Sequence, residues 1–284
     1  MSDITIVTDS ISCLTRELVD RYKIEIIPFT LFAEGRTYRD GVDITPSQAY
    51  ELFAKEPEAF KTAPATPREC LDILCRVSQK AKYILCITVS DKISTFYKVM
   101  QSVRETAKTE LPDTKIEILD SETAAASQGF VVLAAARAVE AGKSFEETIE
   151  SAQQMKSKVN AIVLLDTVHN VYRSGRVPKI AAQAASVLNI HPLFNLYGTV
   201  HFVTAARSQK IGIERMLKIM QKKVNNSTVH CTVMHAYAPD QAQLLKQQVA
   251  QRFICKELWI SEFSPIMGYT TGTGTLGLAF YTEN

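Results

Sequence analysis

Ile4-Thr5-Ile6-Val7-Thr8-Asp9-Ser10 opens the chain with a short apolar run that ends in small polar residues, and Tyr83–Val89 repeats the pattern before Ser90. Ile24–Phe32, Lys115–Leu119 and Ala161–Leu165 are further runs of the same kind. All are rich in Ile, Val and Leu without polar alternation, which predicts strands buried on both faces of a parallel sheet. Helices with readable starts lie between them. Thr45-Pro46-Ser47-Gln48 and Thr66-Pro67-Arg68-Glu69 are capping boxes with Pro at the first helical position, and Ser144 to Glu147 is a third box. Alternating strands and helices predict an α/β fold. Four strands run into Thr8-Asp9-Ser10, Thr88-Val89-Ser90, Asp120-Ser121 and Asp166-Thr167. Open parallel sheets bind ligands outside the carboxyl ends of their strands. The same residue types also cap helices, and the two roles are compatible.

Beyond residue 160 the pattern changes. Leu193–Leu196 and Val200–Thr204 flank Tyr197-Gly198 and read as a hairpin. Ile213, Met216, Leu217 and Met220 form a helical stripe with Arg215, Lys218 and Lys222 on its other side. Leu245, Val249 and Phe253 mark a helix between strands at Cys231–His235 and Leu258–Ile260. The 284 residues therefore divide into an N-terminal α/β domain with a parallel, Rossmann-like sheet, 1–159, and a C-terminal α/β domain with a mixed sheet, 160–284, with a ligand expected between them.

A composition of 46% hydrophobic and 22% charged residues excludes an intrinsically disordered chain. The net charge of +2 conceals an asymmetry: residues 1–159 carry −4 and residues 160–284 carry +6. Between 171 and 223 nine basic residues face the single acid Glu214, a distribution that attracts anions or an acidic partner surface, or else a solvated helix face. No nucleic-acid module is legible. The N-terminus has no basic n-region or apolar h-region, and the six cysteines form no CxxC, so a cytoplasmic, reduced protein is expected. Five scattered histidines without HExxH argue against a metal site.

Gly272-Thr273-Gly274-Thr275-Leu276-Gly277 matches GxGxxG but precedes a strand, which excludes a dinucleotide fingerprint and leaves a close backbone approach to a ligand or a tight turn. Ser94 and Thr95 stand at the start of a helix over Phe96–Lys108, as anion contacts or as ordinary caps. Arg173 and Arg176 flank a Gly turn suited to carboxylate or phosphate, or to a plain surface turn. An enzyme acting on a small phosphorylated or carboxylated metabolite, with Asp9, Asp120 or Asp166 as acid or base, is the alternative from a different class.

In order along the chain, Ile6-Val7-Thr8-Asp9-Ser10, Tyr38-Arg39-Asp40-Gly41-Val42-Asp43-Ile44, Ser90 to Tyr97, Leu119-Asp120-Ser121, Gly175-Arg176-Val177, Leu188-Asn189-Ile190-His191-Pro192 and Gly272 to Gly277 resemble the motifs of the DegV family of fatty-acid-binding proteins. The resemblance implies two α/β domains with a long-chain fatty acid such as palmitate between them and no other cofactor. It places the carboxylate on Thr62 and Ser94. Thr95 and Thr270 are further candidate carboxylate contacts, and Ile190, Phe194 and Ile266 are candidate tail contacts. It also implies a carrier without catalysis of its own, which presents the carboxylate to a separate fatty acid kinase for acyl-phosphate formation and phospholipid synthesis. Arg173, Arg176, Arg207 and Lys210 are the candidate contacts for head group, kinase or a transient membrane surface. Thr270 stands where the family usually has His, and His191 where it has Lys.

Overall fold

The computed structural model describes residues 3–167, 170–171 and 190–283. The chain runs through β1 (Ile4–Asp9), a helical turn at Ser10–Ser12, α1 (Arg16–Tyr22) and β2 (Glu25–Ile27). It then makes a small excursion of β3 (Thr30–Ala33), β4 (Arg36–Arg39), α2 (Pro46–Lys55) and β5 (Lys61–Ala63). From there it returns through α3 (Pro67–Ser78), β6 (Tyr83–Thr88), α4 (Phe96–Glu110), β7 (Lys115–Asp120), α5 (Ala125–Glu140) and α6 (Phe145–Lys158). Four strands form one parallel sheet in the order β2-β1-β6-β7, so Asp9, Thr88 and Asp120 do share a rim. All three capping boxes form, on α2, α3 and α6.

The run Ile24–Phe32 is not one strand. Pro28 has no N–H to give a ladder and confines the residue before it. The run therefore divides into β2 and β3, and β3 joins β4 and β5 in a separate antiparallel sheet. Phe29 sits in the bend.

The second sheet begins with β8 (Asn160–Leu164) and continues with β9 (His191–Tyr197), β10 (Thr199–Ala206), α7 (Gln209–Val224), β11 (Val229–His235), α8 (Pro239–Arg252), β12 (Cys255–Glu262), α9 (Pro265–Thr271) and β13 (Leu276–Thr282). Its order is β10-β9-β8-β13-β11-β12, with only β11 and β12 parallel. The expectation that Ala161–Leu165 lies in a parallel sheet is therefore corrected: both neighbours of β8 are antiparallel. A strand covered on both faces needs the same apolar residues whichever way its neighbours run, so composition does not reveal direction. Asp166 follows β8 in the mixed sheet and is therefore not part of the parallel rim.

Strand periodicity assigns the two faces of the mixed sheet. Ile162, Leu164, Leu193, Cys231, Val233, Leu278 and Phe280 pack under α7 and α8, against Met216, Met220, Leu245 and Val249. Ala161, Val163, Leu165, Phe194, Leu196, Ala279 and Tyr281 point the other way and join the large core built on β1, β6 and α5. Helix α5 is the wedge between the two sheets. It is apolar nearly all round because it is buried nearly all round. Phe130 packs edge-on against Trp259 and Tyr281, with ring centroids 5.1 and 5.0 Å away. Gly129 faces the Ser10–Ser12 turn, where an added Cβ would lie 2.8 Å from the Ser12 carbonyl oxygen.

Gly272 and Gly274 have φ of +86° and +81° and turn the chain from α9 into β13. The Gly272 N–H donates to the Gly268 carbonyl and the Gly274 N–H to the Ala236 carbonyl, so this segment is a tight turn whose glycine amides are used internally.

Candidate functional site

The site starts from Asp9 at the end of β1. Its Oδ1 accepts from the Ile11 N–H at 3.0 Å and its Oδ2 from the Val89 N–H at 2.8 Å. One buried carboxylate thus fastens the loop after β1 to the loop after β6. Burial pushes its pKa up to about 7, against the opposing hydrogen bonds from Val89, Gln128 and Ile11. Both residues it holds, Ile11 and Val89, face a cavity between the parallel sheet and the mixed sheet.

This cavity has an empty volume of about 850 Å³, open solvent at its mouth included. Its first wall is Ile11, Phe29, Val89 and Ile93. The opposite wall is the inward face of the mixed sheet where α5 does not cover it: Val163 and Leu165 at β8, Phe194 and Leu196 on β9, Val200 on β10. Ile266 and Met267 from α9 close it. The bend at Pro28 delivers Phe29, whose ring meets Phe96 edge-on at 4.9 Å.

Polar groups enter this apolar lining at few points. Thr62 on β5, Ser94 before α4, and Thr270 and Thr271 on α9 all line it. Ser94 Oγ accepts from the Phe96 N–H at 3.3 Å, which leaves its own O–H free to donate elsewhere. Thr271 Oγ1 donates to the Met267 carbonyl at 3.1 Å and is occupied. The Thr62 and Thr270 hydroxyls make no hydrogen bond to any described residue. The partly positive N-terminal end of α4 begins beside Ser94. Among the described residues the lining contains no carboxylate, histidine or cysteine.

The structure brings together Thr62, Ser94, Thr270, Phe194 and Ile266 of the expected residues. Thr95 is exposed and outside the lining; it is the N-cap of α4 in αR conformation, with no capping hydrogen bond from its side chain. Ile190 is half-buried and also outside it. Arg207 and Lys210 are exposed where β10 passes into α7. Arg173 and Arg176 lie outside the described residues. None of the three aspartates of the enzyme alternative lines the cavity. Asp9 is engaged by the Ile11 and Val89 amides and by Gln128. Asp120, its pKa raised by burial, accepts from the Glu122 and Asp91 amides. Asp166 is exposed, 3.5 Å from His191 Nδ1. The walls at Phe29, Val163, Leu165, Leu196 and Val200 are not among the residues expected from the sequence.

A model of the DegV family, described as uncharacterised proteins, matches residues 3–283. The chain belongs to the DegV family. A DegV domain-containing protein of Clostridium perfringens is 24% identical over 283 residues, covering 99% of each chain. One from Listeria monocytogenes is 27% identical over 283 residues, 98% of each. The fold is also that of a stearic acid-binding protein from Eubacterium ventriosum, with a TM-score of 0.90 at 21% identity over 100% of this chain and 99% of that one. A fatty-acid-binding DegV family protein from Thermus thermophilus gives a TM-score of 0.89 at 23% identity, covering 98% and 99%. Among the described residues no group of three or more His, Cys, Asp or Glu could hold a metal ion, and no helix is long and apolar enough to cross a membrane.

Proposed function

We propose that this DegV protein is a non-catalytic carrier of a long-chain fatty acid, with the tail in the apolar cavity and the carboxylate on Thr62, Ser94 and Thr270. The observation that carries this reading is the pairing of an apolar lining with neutral hydroxyls and no carboxylate among its described residues. Burying a 16-carbon tail at about 0.8 kcal/mol per methylene contributes on the order of 10 kcal/mol before ordering losses. A carboxylate drawn in with it must be hydrogen-bonded, because an unpaired buried charge is prohibitively unfavourable. Hydroxyls supply those bonds, and a resident acid would repel the head group. Calorimetric titration with palmitate and with methyl palmitate tests this. Palmitate binds and the ester binds much more weakly; equal affinity removes the hydroxyls from head-group recognition.

The finer reading has a cytoplasmic carrier formed by residues 1–159 and 160–284 closing on the ligand, and a separate kinase phosphorylating the presented carboxylate for phospholipid synthesis. Arg207 and Lys210, exposed on the basic half, suit an acidic kinase surface or a transient membrane contact. Arg207→Glu with Lys210→Glu leaves palmitate affinity unchanged and weakens kinase capture. Unweakened capture removes this face from docking.

A further inference from the structure

The β9–β10 hairpin carries part of the cavity wall, and its tip is tied to the opposite wall at one residue. Gly198 turns the hairpin with φ +64°. Its N–H donates to the Glu122 carbonyl at 2.5 Å, and its own carbonyl accepts from Ser90 Oγ. Among the described residues, these are the only hydrogen bonds shown between the hairpin and residues 3–158. Leu196 and Val200, two residues to either side of Gly198, line the cavity, as do Val89, Ile93 and Ser94 around Ser90. The tie therefore holds the two walls together beside the head-group hydroxyl of Ser94.

The anchors on the opposite wall are each held by further bonds, whereas the outer strand of the hairpin is an edge. Ser90 is fully buried, its N–H donates to the Thr123 carbonyl at 2.9 Å, and its Oγ also accepts from the Lys92 N–H at 3.3 Å. The Glu122 N–H donates to Asp120 Oδ1 at 2.8 Å, and its carboxylate pairs with Lys156 at 2.7 Å. On the other side, β10 is an edge strand with an irregular register between Phe202 and Thr204, and Phe202 and Val203 are exposed. We propose that the Ser90–Gly198–Glu122 contact is a latch that sets how fast the fatty acid exchanges. Ser90 and Glu122 are positioning residues in this scheme, since neither lines the cavity. The inference rests on the carrier reading of that cavity.

A latch closed in both free and loaded protein slows uptake and release equally, so its signature is kinetic. Stopped-flow fluorescence with cis-parinaric acid gives both rate constants for the full chain. In Ser90→Ala, association and release both rise by about two- to tenfold, the range that loss of one hydrogen bond spans, while Kd stays the same. Gly198→Ala loosens the tip from the hairpin side, where φ is strained for alanine and the added Cβ meets only Lys92, and it moves both rates the same way. Unchanged rates in both folded variants overturn the latch. A faster release with a matching loss of affinity also overturns it, because Ser90 would then act on the bound ligand. If the unaltered protein binds parinaric acid with ordinary saturation and only the variants fail to differ, the carrier reading survives alone; if it binds none, both fall.

Discussion

Ser94→Ala separates a head-group contact from a helix cap. In the structure the Ser94 hydroxyl accepts one long bond, 3.3 Å, from the Phe96 N–H. Thr95, not Ser94, is the N-cap of α4. Removing Ser94 Oγ thus costs the fold at most about 1 kcal/mol, near the low end for a lost cap. For a chain of this size that is a fall in Tm of about 2–4 °C. The free O–H is what a carboxylate would use. A hydrogen bond to a charged acceptor contributes about 1.5–3 kcal/mol, so Kd for palmitate should rise roughly 10- to 150-fold. Calorimetric titration and differential scanning calorimetry on the same preparation measure both effects. A Kd within twofold of the unaltered protein refutes the role given to Ser94. A large fall in Tm with little change in Kd shows it to be a structural cap.

Three further outcomes follow from the buried groups. Asp9 keeps its proton in the folded state up to about pH 7 because burial disfavours its charge, whereas the unfolded chain releases it near pH 4. Stability is therefore highest on the acid side and is lost as pH rises through 7, by about 4 kcal/mol from this group; Asp40, raised by burial to about 6, acts in the same direction. Thermal melts from pH 5 to 8 should slope downward, and Asp9→Asn should flatten the slope; an equal slope in the variant contradicts the assignment. Glu257 has the opposite sign. Despite burial, hydrogen bonds from His230 and Arg137, both at 2.6 Å, hold its pKa at about 2, so its contribution is lost as pH falls below 4, and Glu257→Gln should lower Tm at pH 7 and remove part of the acid transition. Gly268→Ala places a Cβ 2.1 Å from the Tyr50 ring, which is buried with its O–H donating to the Phe263 carbonyl at 2.9 Å; overpacking should cost about 1–3 kcal/mol in urea denaturation, and an unchanged midpoint would show that α2 and α9 can separate there.

Much of the fold could be read in the chain because its signals are local. β1, β6 and β7 are apolar runs, and the three capping boxes mark helix starts through side-chain bonds to the nearby backbone. Two strand readings failed. Pro28 interrupts a run whose apolar content is continuous, and β8 looks like a parallel strand because burial, not direction, selects its residues. The site was legible unevenly. Thr62 is implied by the family resemblance, and only that resemblance favours Ser94 as a contact, since a hydroxyl beside a helix start reads equally as a cap. Val163, Leu165, Leu196 and Val200 carry no mark that separates a cavity wall from a packed core. Ser90 was visible only as a polar residue after a strand; that it reaches Gly198 across 108 positions is a property of the assembled sheets.

The most direct test of the carrier account is mass spectrometry of the lipid released from natively purified protein. The account predicts a long-chain fatty acid approaching one per chain, exchangeable for added palmitate. A lipid-free protein that also ignores added palmitate would contradict it.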